Sequence, residues 1–166
     1  VPGESTATAL NHAKVIKGID KILGKKNPVD AEFIYEFLAA YDFPKSTISK
    51  LKQETSQKRG RSAGRNVATI KGDFGLSRQV YYHPVLPGID LMQELDTVRK
   101  LPVIENNRIR FVIVCDGRDL AAWDAKVDDS LFCSVSELRE NYEFLLPLTG
   151  KYEKALATSI HPADLK

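Results

Sequence analysis

Two carboxylates and a lysine in the second half of the chain have the residue types of a metal-dependent nuclease. Asp116, Asp124 and Lys126 lie around a short turn between two apolar runs. Two carboxylates can hold a divalent ion such as Mg2+, and a lysine can orient or activate the attacking water. In Asp124-Ala125-Lys126 the period-two alternation of a strand places both charged side chains on one face. Charge of this kind is also common at solvated strand ends. A second constellation is cationic. Residues 45–78 contain Lys45, Lys50, Lys52, Lys58, Arg59, Arg61, Arg65, Lys71 and Arg78 against only Glu54 and Asp73, a net of +7. The whole chain carries +2, so the remainder is −5. Such polarisation is the electrostatic footprint of a polyanion binder; the plainer account is a solvated basic loop.

The basic run begins on a helix. Residues 32–54 read as helix, tight turn, helix. In a helix-turn-helix the first turn of the second helix faces the DNA major groove. Here that turn presents Lys45, Ser46, Thr47, Ser49 and Lys50: small hydroxyls allow close approach and lysines neutralise phosphate. Lys45, Ser46, Lys50, Lys52, Lys58, Arg59, Arg61 and Arg65 are therefore the expected contacts to double-stranded DNA. Two amphipathic helices joined by a proline turn are equally a common piece of a helical core.

Other chemistries find less in the sequence. His12, His83 and His161 are far apart, and none belongs to a two-histidine helical motif or stands beside a cysteine pair. His83, at the end of a strand before Pro84, reads as a structural or surface residue. No metal site is expected outside the nuclease alternative. Gly60-Arg61-Ser62-Ala63-Gly64-Arg65 lacks the Lys-Ser/Thr of a phosphate-binding loop, and no nucleophile-elbow pattern occurs. Two cysteines, Cys115 and Cys133, make neither a disulfide framework nor a four-cysteine zinc site, which points to a reduced, cytoplasmic compartment. With 43% hydrophobic and 28% charged residues, extensive disorder is excluded, and no apolar run suggests a membrane partner. The sequence begins at Val1 and ends Ala163-Asp164-Leu165-Lys166, like the start of another helix, so the 166 residues read as a piece of a longer protein.

The elements that must position these groups follow from period and punctuation. Helical spacing covers 9–23, after a frayed 1–8; 30–41 follows, with Asp30 as its cap, and then 45–53. Residues 67–70 and 77–83 alternate as strands around a Gly72-Asp73 hairpin turn. A helix spans 89–100. Residues 108–115 form a near-continuous β-branched run, expected to be buried on both faces. Strands at 120–126 and 131–133 follow, and Ser134 with Glu137 forms a capping box for a last helix bearing Leu138, Tyr142 and Leu145. The organisation is a helical segment 1–54, a basic loop 55–66, a mixed α/β sheet region 67–150 and a linker 151–166, within one α+β structural domain.

The block IRFVIVCDGRDLAAWDAKVDDSLFCSVSELRENYEFLLPLTG, from Ile109, resembles the end of the N-terminal domain in large bacterial restriction–modification proteins, combined DNA methyltransferases of the type IIG or MmeI-like kind. Its shared features are the strand before Cys115, the acidic turn at Asp116, Asp124 to Lys126, the aromatics Tyr142 and Phe144, and the exit Leu146 to Gly150. Ala40-Tyr41-Asp42-Phe43-Pro44-Lys45-Ser46-Thr47-Ile48 resembles the opening of such proteins. His161-Pro162-Ala163-Asp164 resembles the link into their methyltransferase region. The resemblance implies an N-terminal accessory, DNA-contacting domain that docks on the methyltransferase and target-recognition parts of its parent, an adenine-type enzyme using S-adenosylmethionine. The glycine loop and acidic-Pro-Pro-aromatic motif of such enzymes are absent from these residues, so methyl transfer is not carried here. It further implies a degenerate restriction-nuclease-like fold of the PD-(D/E)xK type. The hairpin at 67–83 would carry the carboxylates, with Asp73 as the first and a Glu-x-Lys near Tyr82-His83-Pro84, where none occurs. The enzymatic alternative is thus a Mg2+-dependent nuclease using Asp73, Asp116, Asp124 and Lys126. A third reading is a helix-turn-helix transcriptional regulator.

Overall fold

The β-branched run at the centre of the sequence becomes the centre of the fold. The computed structural model describes residues 2–57, 66–70 and 72–149. Strand β3 (Phe111–Cys115) is buried along its whole length and lies in the middle of a five-stranded sheet ordered β1-β2-β3-β4-β5. β1 is Phe74–Leu76, β2 Val80–Pro84, β4 Asp119–Asp124 and β5 Asp129–Ser134. β2 and β3 are parallel and every other pair is antiparallel. A parallel pair needs a crossover; α4 (Leu91–Arg99) and the short α5 (Pro102–Asn106) supply it and cover one face of the sheet. Helices α1 (Pro2–Leu23), α2 (Phe33–Ala40) and α3 (Lys45–Gln57) precede the sheet, and their core residues pack on its other face. Alternation along β3 divides the two cores. Phe111, Ile113 and Cys115 pack towards the helical layer, while Val112 and Val114 pack towards α4. The arrangement is α+β, as the sequence indicates.

Several local expectations are corrected. α1 begins at Pro2 rather than Ala9, and α3 runs on to Gln57. Asp30 does not cap α2: it accepts from the Glu32 amide in the preceding turn, and Glu32 is the N-cap residue. Residues 67–70 form no strand. The Asn66 side chain accepts from the amides of Ala68 and Gly75, taking the place of a strand partner, and only Asn66 bridges to Leu76. Gly72, at φ 91°, does turn the chain, but the hairpin it was expected to close lies one step later, between β1 and β2. Its turn places Arg78 at φ 67°, and the Gln79 amide donates to the Leu76 carbonyl. The capping box at Ser134 and Glu137 is present, but only a 3-10 turn follows it. The Asn141 side-chain amide takes the Glu137 carbonyl that an α-helical amide would use, while the Asn141 backbone amide donates to Leu138. A 3-10 helix (Tyr142–Thr149) containing Pro147 then completes the described chain.

The contact between α1 and α2 depends on one glycine. A Cβ on Gly18 would stand 2.5 Å from the Ala40 Cβ and 2.8 Å from its Cα. Alanine gains about 1 kcal/mol over glycine in a helix interior, so Gly18→Ala tests which effect dominates. Overpacking costs about 1–3 kcal/mol, and one partner here is backbone. The variant is expected to unfold at lower urea than the parent; equal or greater stability would show that the helices separate freely.

Candidate functional site

The first candidate surface is the α2–α3 pair. The chain leaves α2 through Asp42 at φ 71°, the Phe43 amide donates to the Leu38 carbonyl, and Pro44 precedes α3. Leu51 is fully buried and Ile48 half-buried, which turns Lys45, Ser46, Ser49 and Lys50 outwards; Thr47 is half-buried. No acidic residue occupies the first turn of α3, so no side chain of that turn offsets the positive end of its dipole. Lys52 differs from its neighbours. Its ammonium lies 2.6 Å from Glu32 and 5.3 Å from the centre of the Tyr35 ring. The hydrogen bond it donates to Glu32 holds its pKa above the usual lysine value. Lys52 thus ties α3 to α2. Lys58, Arg59, Arg61 and Arg65 lie outside the described residues.

Pairing decides what field this layer projects. Asp20 is bridged to Arg139, Asp30 and Glu36 to Lys25, Glu32 to Lys52, and Asp42 to Lys14. Those five are all the acids between His12 and Gln53. Exposed pairs of this sort add little stability, but they offset the charge of those five carboxylates. Lys45 and Lys50 are exposed and pair with no carboxylate among the described residues.

The second candidate is polar and enclosed, on the α4 side of the sheet. Asp73, just before β1, has a side chain only 1% exposed. It accepts from the Tyr81 hydroxyl at 2.5 Å and lies 2.7 Å from His83 Nδ1. On the other side of the ring, His83 Nε2 lies 2.8 Å from Glu94 of α4. Only a protonated imidazole donates from both nitrogens. The two carboxylates, Asp73 foremost, raise the His83 pKa against the opposing effect of burial. Burial and the bond to Asp73 push the Tyr81 hydroxyl upwards as well, so it stays a donor. The cluster bridges β2 to α4, with the His83 ring held between two carboxylates. Sequence reasoning placed His83 on the structural side and missed both partners.

The remaining candidates for metal chemistry stand apart. Asp124 pairs with Phe111 across the sheet, whereas Asp116 follows Cys115 at the other end of β3. Five residues of strand separate those levels by about 16 Å. Asp124 is held by Arg110 through two hydrogen bonds, of 2.9 and 3.0 Å, and also accepts from the Lys126 amide. Asp116 accepts from the amides of Arg118 and Asp119 in a turn around Gly117. Asp73 belongs to the His83 cluster, and His83 stands where a Glu-x-Lys was sought. Among the described residues no group of three or more His, Cys, Asp and Glu side chains is placed to hold a metal ion. No helix among them is long and apolar enough to cross a membrane.

Fold and site together define an α+β domain with a cationic helical layer on one face of its sheet and an enclosed acid–histidine–acid bridge on the other. A family model described as the N-terminal domain of MmeI matches residues 10–166, and the chain belongs to that family. It is also 28% identical over 154 residues to DNA methyltransferase A of Bacillus subtilis (strain 168), an alignment covering 89% of this chain. The chain spans 16% of that relative's length. No solved structure matches it.

Proposed function

We propose that the chain is the N-terminal, DNA-contacting accessory domain of a restriction–modification DNA methyltransferase. Its role is to grip the duplex through phosphates and to dock on the methyltransferase and target-recognition parts of the parent. Family membership and the methyltransferase relative support the parent class. The observation that carries the DNA contact is the set of outward-facing lysines on α3, Lys45 and Lys50, beside five acids between His12 and Gln53 that are each paired with a cation. Lys45, Ser46 and Lys50, with Lys58, Arg59, Arg61 and Arg65 of the following basic run, are the proposed phosphate contacts. Lys52 contributes indirectly, by fixing α3 against Glu32. The parent would be an adenine-type enzyme of the cytoplasm. S-adenosylmethionine would be bound elsewhere in it, because these 166 residues contain neither a matching glycine loop nor the acidic-Pro-Pro-aromatic motif. No step of methyl transfer is assigned to this chain.

The nuclease alternative has one favourable observation: an antiparallel hairpin, a crossover helix and a parallel strand, with Asp73 beside the hairpin. Its proposed carboxylates, however, are distributed over three places, and each has protein partners.

Each phosphate contact releases counterions, so affinity falls with salt at about 0.9 logarithmic units per contact per logarithmic unit of salt. Removing Arg59, Arg61 and Arg65 as alanines, or Lys45 and Lys50 as glutamines, is expected to flatten that dependence by about 2–3 and about 2 units respectively. Fluorescence anisotropy with a labelled random-sequence duplex measures it. Unchanged slopes for both variants would remove α3 and the basic run from the account.

A further inference from the structure

The pairing of the helical layer leaves cations unused on α1 as well as α3. Lys17 and Lys21 are exposed on α1, and Lys26 is exposed just after it; none pairs with a carboxylate among the described residues. Lys17 and Lys21 are four residues apart, so they rise along one side of the helix about 6 Å from each other. α1 and α2 run antiparallel, since Lys14 reaches Asp42 at the end of α2 while Lys25 reaches Glu36 near its start. The Lys14–Asp42 bridge sets one end of the α1 face beside the turn that leads into Lys45. At the other end, Leu23 and Pro28 border a cleft of about 610 Å3, also lined by Arg118, Asp119, Ser134 and Ser136. Arg118 is exposed and makes no ion pair among the described residues.

A cation in the last turn of a helix also complements the negative end of the helix dipole. That explains Lys21, which stands there. It does not explain Lys17, which is earlier in the helix, or Arg118, which belongs to the β3–β4 turn.

We propose that Lys17, Lys21 and Lys26, continuing to Arg118 at the cleft, form a second phosphate-contacting track for double-stranded DNA. The duplex is then held along α1 and α3 together, with α2 between them and its acids neutralised. This rests on the DNA-contacting role proposed above. The track requires only a regularly spaced polyanion, since lysines on an open helix face carry no base-reading geometry. It therefore adds affinity without adding sequence preference.

The test uses the 166-residue chain, a labelled random-sequence duplex and salt from about 50 to 200 mM. The triple variant Lys17→Gln/Lys21→Gln/Lys26→Gln is expected to flatten the salt dependence by about 2–3 units, and Lys17→Gln alone by about 1. These side chains make no ion pair among the described residues, so apart from the small helix-dipole contribution of Lys21 their loss should leave the circular dichroism and urea midpoint unchanged. A shuffled duplex of equal length should show the same change. If the triple variant keeps the parental slope while Lys45→Gln/Lys50→Gln flattens it, the α1 track is wrong and the α3 contact stands. If the unmodified chain binds no duplex at the lowest salt, both fall together. A slope change confined to one sequence would overturn the sequence-neutral character of the track.

Discussion

Replacing Asp124 with alanine is expected to destabilise the chain by about 3–5 kcal/mol, the usual effect of removing one partner from a buried ion pair. Its side chain is 6% exposed and its two oxygens take a forked bond from Arg110, itself 18% exposed. Without Asp124, the guanidinium loses both carboxylate bonds while remaining partly enclosed beside the Phe111 ring. The Lys126 amide loses its acceptor at the same time. Asp124→Asn keeps the shape and one acceptor and should cost less. Urea unfolding followed by circular dichroism gives both values. The same variants separate a structural from a catalytic carboxylate. Plasmid DNA incubated with Mg2+ or Mn2+ is expected to stay uncut by the parent and by folded Asp124→Asn alike. Cleavage by the parent that the asparagine variant abolishes without loss of stability would restore the nuclease reading.

What was legible in the sequence, and what was not, follows from the range of the interactions involved. β3 was legible because a run of β-branched residues with no polar interruption suits only a strand covered on both sides, and Val112 and Ile113 do pack into opposite cores. The basic face of α3 was legible because helical period separates Leu51 from Lys50 without knowledge of any neighbour. The strand expected at 67–70 failed because four alternating residues are a weak signal, and one side chain, Asn66, satisfied the amides that a ladder would have used. Lys52 was assigned to DNA because its partner Glu32 lies one helix earlier, and the turn at Asp42 sets their approach. His83 was the largest omission. Its partners come from the segment before β1 and from α4, across a crossover, so no spacing reveals them. The available signal was a histidine in a strand whose preceding residues, Val80, Tyr81 and Tyr82, are all buried: a polar ring there needs partners.

That ring leads to a pH-dependent stability. The His83 pKa is raised above its ordinary 6.5, chiefly by Asp73 and also by Glu94. A folded-state value above the unfolded one stabilises the fold fully below about pH 6.5, and the contribution is lost as pH rises through the folded value. Once neutral, the ring donates from only one nitrogen, and the other turns a lone pair towards a carboxylate. The Asp73 side chain is 1% exposed and has no water to turn to, whereas that of Glu94 is 30% exposed, so the bond to Glu94 is the one expected to fail, loosening α4 from β2. His83→Ala should therefore cost about 3 kcal/mol near pH 6, as for one partner of a largely buried pair, and clearly less near pH 9. The thiols of Cys115 and Cys133 do not compete in this window, because burial pushes both up to about 11. Urea midpoints of parent and variant across pH 6–9 give the difference directly, and NMR titration of the imidazole locates the transition. A difference between the two proteins that stays constant over that range would mean that His83 holds one protonation state throughout, and would overturn the pH-dependent loosening of α4.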